Sequence, residues 1–165
     1  MSSEENAKAT LGFIMLILES LKLRWVITGG FACYAYGIKR PITDIDIDID
    51  CSKDDETFKE FFALLSPYIS QPLEHLQNDF YDNYNFEASI NGQILDICPM
   101  KELLIARDGE YVPFYNGFPR VEQVGWNGFM LPLLAKDLIL ENKKMILDRS
   151  ELDRQDAEAL TKMLA

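Results

Sequence analysis

The sequence predicts an α+β fold in which helices pack on a mixed β-sheet. The first half of the chain combines helical segments with short segments rich in β-branched and aromatic residues. An Asn-Gly pair then joins two alternating segments in the middle of the chain, which is the strongest short signal for a β-hairpin. Two further helical segments close the chain, and this order of elements favours a mixed sheet covered by helices.

The first half of the chain contains predicted helices and strands in turn. In chain order they are a helix over 6–22, a strand over 24–28, a short helix over 31–36, a strand over 44–50 and a helix over 53–65. Gly29-Gly30 turns the first strand into the short helix, and Ser52 is expected to cap the helix that follows it. The first helix is apolar around much of its circumference, so it is either deeply packed or partly a subunit contact, which leaves a homodimer open.

The second half begins with a segment, 71–82, that is expected to form a short helix and a loop. Strands over 84–90 and 93–98 then flank Asn91-Gly92, a pair that predicts a type I′ turn. The remaining predicted elements are a loop over 111–120, a smaller hairpin over 121–131 and helices over 134–149 and 152–164.

Length and composition restrict the classes of protein that the sequence can encode. A chain of 165 residues without an internal repeat or linker predicts one domain over 1–165. Its net charge of −11 disfavours extended nucleic acid, which needs a basic surface.

Three cysteines without a CxxC pair indicate a reducing compartment, and we expect a cytoplasmic protein. The single histidine, His75, leaves almost no material for a His-based zinc site, and the apolar run from Leu11 is too short to span a bilayer.

Aspartates alternate with isoleucines in the second predicted strand. The aspartates are Asp44, Asp46, Asp48 and Asp50, and the isoleucines are Ile45, Ile47 and Ile49. Because side chains two residues apart on a strand share a face, one face carries only carboxylates and the other only isoleucine. Like charges about 7 Å apart repel, so a strand that keeps them usually has a use for cations. Asp48 and Asp50 are interpreted as a solvated strand end.

The carboxylates match the requirements of phosphoryl transfer. Such sites place two divalent ions about 4 Å apart, bridged by carboxylates, and Asp44 and Asp46 form a compact bridging pair. Asp96 is the candidate third ligand, because it is isolated between Leu95 and Ile97, where an unpaired buried charge would be costly. The turn at Gly29-Gly30 offers backbone N–H groups to an anion. The sequence therefore predicts a divalent metal and a phosphate ligand.

Other binding motifs do not fit these residues. An EF-hand calcium loop starting at Asp46 would need glycine at Cys51 and glutamate at Thr57, and the register starting at Asp44 fails in the same way. The pair Gly29-Gly30 does not continue as a dinucleotide-binding or P-loop motif.

Together these motifs resemble those of minimal nucleotidyltransferases of the DNA polymerase beta superfamily. The matching segments are Ile27-Thr28-Gly29-Gly30, Asp44-Ile45-Asp46-Ile47 and Leu95-Asp96-Ile97. The spacing from the glycine pair selects Asp44 and Asp46 over the later aspartates. The closing segments from Leu131 to Leu160 are similar to those of small bacterial single-domain relatives, which include abortive-infection type nucleotidyltransferases.

The resemblance implies a nucleotidyltransferase (polymerase beta-like) fold, with a catalytic core over about 24–100 and C-terminal helices over about 134–164. It implies that a nucleoside monophosphate moves from an NTP such as ATP to a hydroxyl of a small molecule, a protein or a tRNA end, with release of pyrophosphate. The alternative is a catalytically silent nucleotide-binding module or a toxin–antitoxin-type interaction module with the same fold.

The resemblance also implies roles for individual residues. Two Mg²⁺ ions, or Mn²⁺ in their place, are expected to bind the catalytic residues Asp44, Asp46 and Asp96. The expected nucleotide-binding residues are Thr28, Gly29, Gly30, Arg40, Thr43 and Lys144, with Lys143 as a second candidate for the last position.

Overall fold

The computed structural model describes residues 2–165. The helices are α1 (Ser3–Ser20), α2 (Gly29–Ala35), α3 (Glu56–Leu64), α4 (Lys136–Met145) and α5 (Glu151–Leu164). The strands are β1 (Trp25–Thr28), β2 (Ile45–Ile49), β3 (Ile69–Gln77), β4 (Tyr81–Ile90), β5 (Gln93–Pro99), β6 (Leu104–Arg107), β7 (Glu110–Pro113), β8 (Val121–Trp126) and β9 (Phe129–Leu134). The predicted α+β class is confirmed.

All of these strands belong to one mixed sheet, with the order β7-β6-β4-β5-β2-β1-β9-β8 and with β3 paired to β4. At its centre β2 runs antiparallel to β1 and parallel to β5. This register places Asp46 between Thr28 on one neighbouring strand and Asp96 on the other. The sheet therefore brings together residues that are far apart in sequence.

The isoleucine face of β2 lies in the core, as the alternation predicts. Ile45, Ile47 and Ile49 are completely buried. Helix α3 contributes Phe58 and Phe61, whose rings contact the ring of Phe86 on β4. Burial of each such side chain stabilises the fold by about 1.5–3 kcal/mol, so the isoleucine face anchors the strand that carries the aspartates.

Local signals explain several element boundaries. Helix α1 starts at Ser3, earlier than predicted, because Ser2 and Glu5 form a reciprocal capping box. The predicted type I′ turn is confirmed, since Asn91 and Gly92 both have positive φ angles, 51° and 76°. The smaller hairpin is confirmed as β8 and β9. None of the helices in residues 2–165 is long and apolar enough to cross a membrane.

Four predictions about local structure are wrong in whole or in part. The predicted loop over 111–120 begins with strand β7, because Glu110–Pro113 pairs with β6. The segment 71–82 is a strand, β3, followed by the start of β4, because pairing with β4 overrides the helix-favouring residues of this segment. Helix α3 begins at Glu56 rather than Lys53, since Ser52 does not cap it and its hydroxyl donates to Glu102 instead. Helix α4 ends at Met145, before the predicted end at Arg149.

Candidate metal and nucleotide site

Three carboxylates from two neighbouring strands converge at the centre of the sheet. Oxygen atoms of Asp44, Asp46 and Asp96 all lie within 4.8 Å of one another. Asp46 and Asp96 are direct partners in the parallel pairing of β2 with β5, and Asp44 immediately precedes β2. All three side chains are half-buried. We call these residues the acidic triad.

The acidic triad is electrostatically strained in the absence of cations. Burial raises the pKa of Asp46 well above its usual value, and the charges of Asp44 and Asp96 raise it further. Burial also raises the pKa of Asp96 to about 6, although the Asn85 amide donates a hydrogen bond of 2.8 Å to this carboxylate and acts in the opposite direction. Within residues 2–165 no lysine or arginine forms an ion pair with these three carboxylates. An all-oxygen, uncompensated donor set of this kind fits magnesium or manganese.

Asp48 belongs to the same site, which corrects its interpretation as part of a solvated strand end. Its side chain is buried and accepts a hydrogen bond of 2.5 Å from the hydroxyl of Tyr115. Burial raises its pKa to about 7, against the opposing effect of that hydrogen bond. Asp50 instead forms an ion pair with Arg24 at 2.5 Å. Neither residue lines the cavity next to the carboxylates, which is described below. The loop that carries Tyr115 covers this end of the strand, and sequence alternation alone does not reveal such a cover.

The glycine turn lies against the acidic triad. Gly29 has a φ angle of +65°, and a Cβ atom at this position would overlap the carboxylate of Asp46. A Cβ atom at Gly30 would overlap the guanidinium group of Arg40. The pair therefore allows the backbone to pass between a carboxylate and a cation, which no residue with a side chain would permit.

The acidic triad opens into a cavity of about 340 Å³. Of the residues expected to bind nucleotide, those that line it are Thr28, Gly29, Gly30, Arg40 and Thr43. Lys144 does not line the cavity and is exposed on α4, whereas its neighbour Lys143 lines the cavity and is buried. Successive helical residues differ by about 100° in direction, so a shift of one position decides which lysine faces the site.

Several further residues line the cavity without having been predicted. They include Asp48, Tyr81, Asn83, Asn85, Asn142, Arg149, Ser150 and Asp153. Tyr81, Asn83 and Asn85 follow a period of two on β4. Because β4 begins three residues before the predicted strand over 84–90, only Asn85 lies within the predicted bounds, and an earlier start of that strand was the signal that could have identified the other two. The side-chain oxygen of Asn85 is buried and has no hydrogen-bond partner among the described residues.

The raised pKa values predict an unusual pH dependence of stability in metal-free buffer. Asp48, with a pKa of about 7, and Asp96, with a pKa of about 6, hold protons in the folded protein that the unfolded chain releases near its usual value of 3.8. The free energy of unfolding should therefore fall as the pH rises from about 4 to about 7, and Asp48 alone contributes up to about 4 kcal/mol to this fall.

Urea unfolding at a series of pH values measures this effect. Asp48→Asn should flatten the curve, because the amide carries no titrating proton and still accepts the hydrogen bond from Tyr115. A free energy of unfolding that rises between pH 5 and pH 7 in the wild-type protein would contradict the assignment.

No protein-family model matches this sequence, and neither does any curated protein. The fold, in contrast, is similar to several solved structures. TM1012 of Thermotoga maritima, described as a candidate nucleotidyltransferase, is 24% identical with a TM-score of 0.68, over 99% of this chain and 95% of that chain. ANT(2")-Ia, solved with adenylyl-2"-tobramycin, is 18% identical with a TM-score of 0.61, over 96% of this chain and 90% of that chain.

A third similar structure is the lincosamide antibiotic adenylyltransferase LnuA in its lincomycin-bound form. It is 20% identical to this chain with a TM-score of 0.56, and the match covers 96% of both chains. The matches to all three proteins extend over nearly the whole chain. They confirm the nucleotidyltransferase fold that the motifs predict.

Proposed function

We propose that this chain, which has the fold of a minimal nucleotidyltransferase, transfers a nucleoside monophosphate from an NTP such as ATP to a hydroxyl of an acceptor. The observation that carries this proposal is the convergence of Asp44, Asp46 and Asp96, without a pairing lysine or arginine among the described residues, at a cavity that also contains buried cations. A silent module of this fold would be expected to have its acids paired with arginine or its cavity filled.

Asp44 and Asp46 are the residues that would hold two divalent ions, and Asp96 would complete the coordination of one of them. Magnesium is the ion of choice, with manganese as a substitute, because the donors are carboxylate oxygens. When bound, such ions make a hydroxyl more acidic and offset the charge of the phosphates.

The protein's own groups account for the rest of the reaction. Asp96 would accept the proton of the acceptor hydroxyl, whose oxygen would form a bond with the α-phosphorus. The bond from this phosphorus to the bridging oxygen of the β-phosphate breaks, and pyrophosphate leaves with the electron pair. Arg40 and Lys143, which line the cavity, would bind the triphosphate and stabilise the negative charge of the leaving group.

We further propose a small molecule, rather than a protein or a tRNA end, as the acceptor. The cavity of about 340 Å³ is in the range of small-molecule sites. The net charge of −11 disfavours a long nucleic acid. Glu87 lies opposite Asp96 on β4, and Glu74 lies opposite Asn85 on β3, so additional carboxylates share this side of the sheet and favour an acceptor with positive charge. One structural neighbour was solved with adenylyl-2"-tobramycin, and another is named as a lincosamide antibiotic adenylyltransferase.

Thermal unfolding with each NTP, with and without Mg²⁺, tests the nucleotide site. A nucleotide at a hundred times its dissociation constant should stabilise the wild-type protein by about 2.7 kcal/mol, and only when Mg²⁺ is present. The double variant Asp44→Asn/Asp46→Asn should lose this shift. No shift with any NTP in the wild-type protein would contradict the proposal.

Transfer itself is then measured with α-labelled NTP and a panel of hydroxylated small molecules, half of them with amino groups. Asp96→Asn should abolish labelling of the acceptor and spare nucleotide binding, because this residue serves the acceptor side. Binding without labelling of any acceptor would favour the silent nucleotide-binding module.

A further inference from the structure

We infer that Asp153 and Asp156 of α5 are positioning residues, which hold the cations of the cavity where they bind the triphosphate. This inference rests on the proposed function, because it assigns a task to cations that would bind NTP. Three cations take part, namely Arg40, Lys143 and Arg149, and all of them line the cavity. They come from three different parts of the chain, and the two aspartates join them.

Lys143 is held from two sides. Its ammonium nitrogen lies 2.6 Å from a carboxylate oxygen of Asp153 and 3.0 Å from one of Asp156. The side chains of all three residues are at most 5% exposed. The ammonium group donates a hydrogen bond to Asp153 and forms an ion pair with Asp156. Because an ammonium group has three N–H donors, donor capacity remains for a group in the cavity.

Arg40 is held by the same carboxylate that holds Lys143. Its guanidinium group pairs with Asp156, and its side chain is only 6% exposed. The same guanidinium occupies the space in which a Cβ atom of Gly30 would lie. Asp156 therefore fixes two cations at once, one of them directly against the glycine turn.

Asp153 also binds the third cation, Arg149. Arg149 donates to it through Nε at 2.9 Å, and the Ser150 hydroxyl donates at 2.8 Å. Burial raises the pKa of Asp153, but the hydrogen bonds from Lys143, Arg149 and Ser150 outweigh this effect and bring the pKa to about 2. The carboxylate is therefore ionised throughout the physiological range and accepts hydrogen bonds from Lys143, Arg149 and Ser150.

The energetics argue that this network serves binding rather than folding. A buried ion pair adds little net stability compared with apolar side chains of the same volume, because both charges lose their hydration. Cations that are fixed before the ligand arrives, however, lose no side-chain entropy when the phosphates bind. A network with three cations and two carboxylates also keeps one positive charge for the ligand.

An electrostatic role and a positioning role for the two aspartates predict opposite changes in phosphate binding when the aspartates are removed. If Asp153 and Asp156 acted only through their charge, their removal would make the cavity more positive and tighten phosphate binding. If they position the cations, their removal lets Lys143 and Arg40 turn away, and phosphate binding weakens. The sign of the change therefore distinguishes the two.

Isothermal titration with ATP and Mg²⁺, AMP and adenosine tests the inference on the intact chain of 165 residues. Asp153→Asn and Asp156→Asn should each weaken ATP binding by about tenfold, or about 1.4 kcal/mol, and leave adenosine binding unchanged. Lys143→Met should give a similar loss. The control is Glu151→Gln on the same helix, which removes an exposed pair with Arg154 and should bind ATP like the wild type.

A further variant keeps the inference testable if the asparagine variants do not fold. Asp156→Glu keeps the negative charge and displaces it by one methylene, so it should also weaken ATP binding more than adenosine binding. ATP binding that is unchanged or tighter in the folded aspartate variants would overturn this inference alone. Failure of the wild-type protein to bind any NTP in the presence of Mg²⁺ would overturn the proposed function and this inference with it.

Discussion

Asp46→Asn should reduce the proposed nucleotidyl transfer by a factor on the order of 10³ or more. The substitution removes a carboxylate that would hold both ions and so several kcal/mol of charge stabilisation, and about 1.4 kcal/mol corresponds to a tenfold change in rate. Asp46 is central to the acidic triad, with Thr28 beside it on one strand and Asp96 beside it on the other. The measurement is the turnover rate with α-labelled NTP at saturating Mg²⁺.

The same variant should be more stable than the wild-type protein in metal-free buffer at neutral pH. Burial and the charges of Asp44, Asp96 and Asp48 all raise the pKa of Asp46, so a neutral amide removes an unfavourable charge from the folded state. Asp50→Asn is the matched control, because it lies just beyond the same strand and pairs with Arg24 outside the cavity. Loss of activity together with loss of stability in Asp46→Asn would indicate a folding defect and contradict the metal-binding role.

The acidic triad could be predicted because each of its parts is a local pattern. Alternation along β2 identifies the carboxylate face, and an isolated acid between Leu95 and Ile97 identifies the neighbouring strand. The register that joins Asp46 to Asp96 is not local and was not predicted; Asp96 was proposed as the third ligand because an unpaired charge between Leu95 and Ile97 would be costly. The fold class followed in the same way, from hairpin turns and helical segments that need no tertiary context.

The positions of the cavity's cations, and of the carboxylates that pair with them, could not be predicted from local sequence patterns. Whether Lys143 or Lys144 faces the cavity depends on the rotation of α4 about its axis, which is set by packing against α5. Asp153 and Asp156 look like ordinary polar residues of a closing helix, and their burial depends on that same packing. Asp48 is buried by a tyrosine 67 positions later in the chain. Contacts of this range leave no periodic trace in a sequence.

Gly29→Ala should destabilise the protein by more than the cost of left-handed backbone alone, and should also abolish Mg²⁺-dependent nucleotide binding. A φ angle of +65° costs a residue with a Cβ atom about 1–2 kcal/mol. At Gly29 the new methyl group would also overlap the carboxylate of Asp46, so either the turn or the Asp46 side chain must move. Urea unfolding measures the first effect, and thermal shift with ATP and Mg²⁺ measures the second.

Two other glycines separate backbone strain from steric overlap. Gly37 and Gly117 have φ angles of +104° and +80°, and a Cβ atom at either position would meet no atom within 4 Å. Gly37→Ala and Gly117→Ala should therefore lose stability through strain alone and keep nucleotide binding. If Gly29→Ala behaved like these controls in both measurements, Asp46 would have to be free to move without consequence, and the close contact between the glycine turn and the acidic triad would have no role in the site.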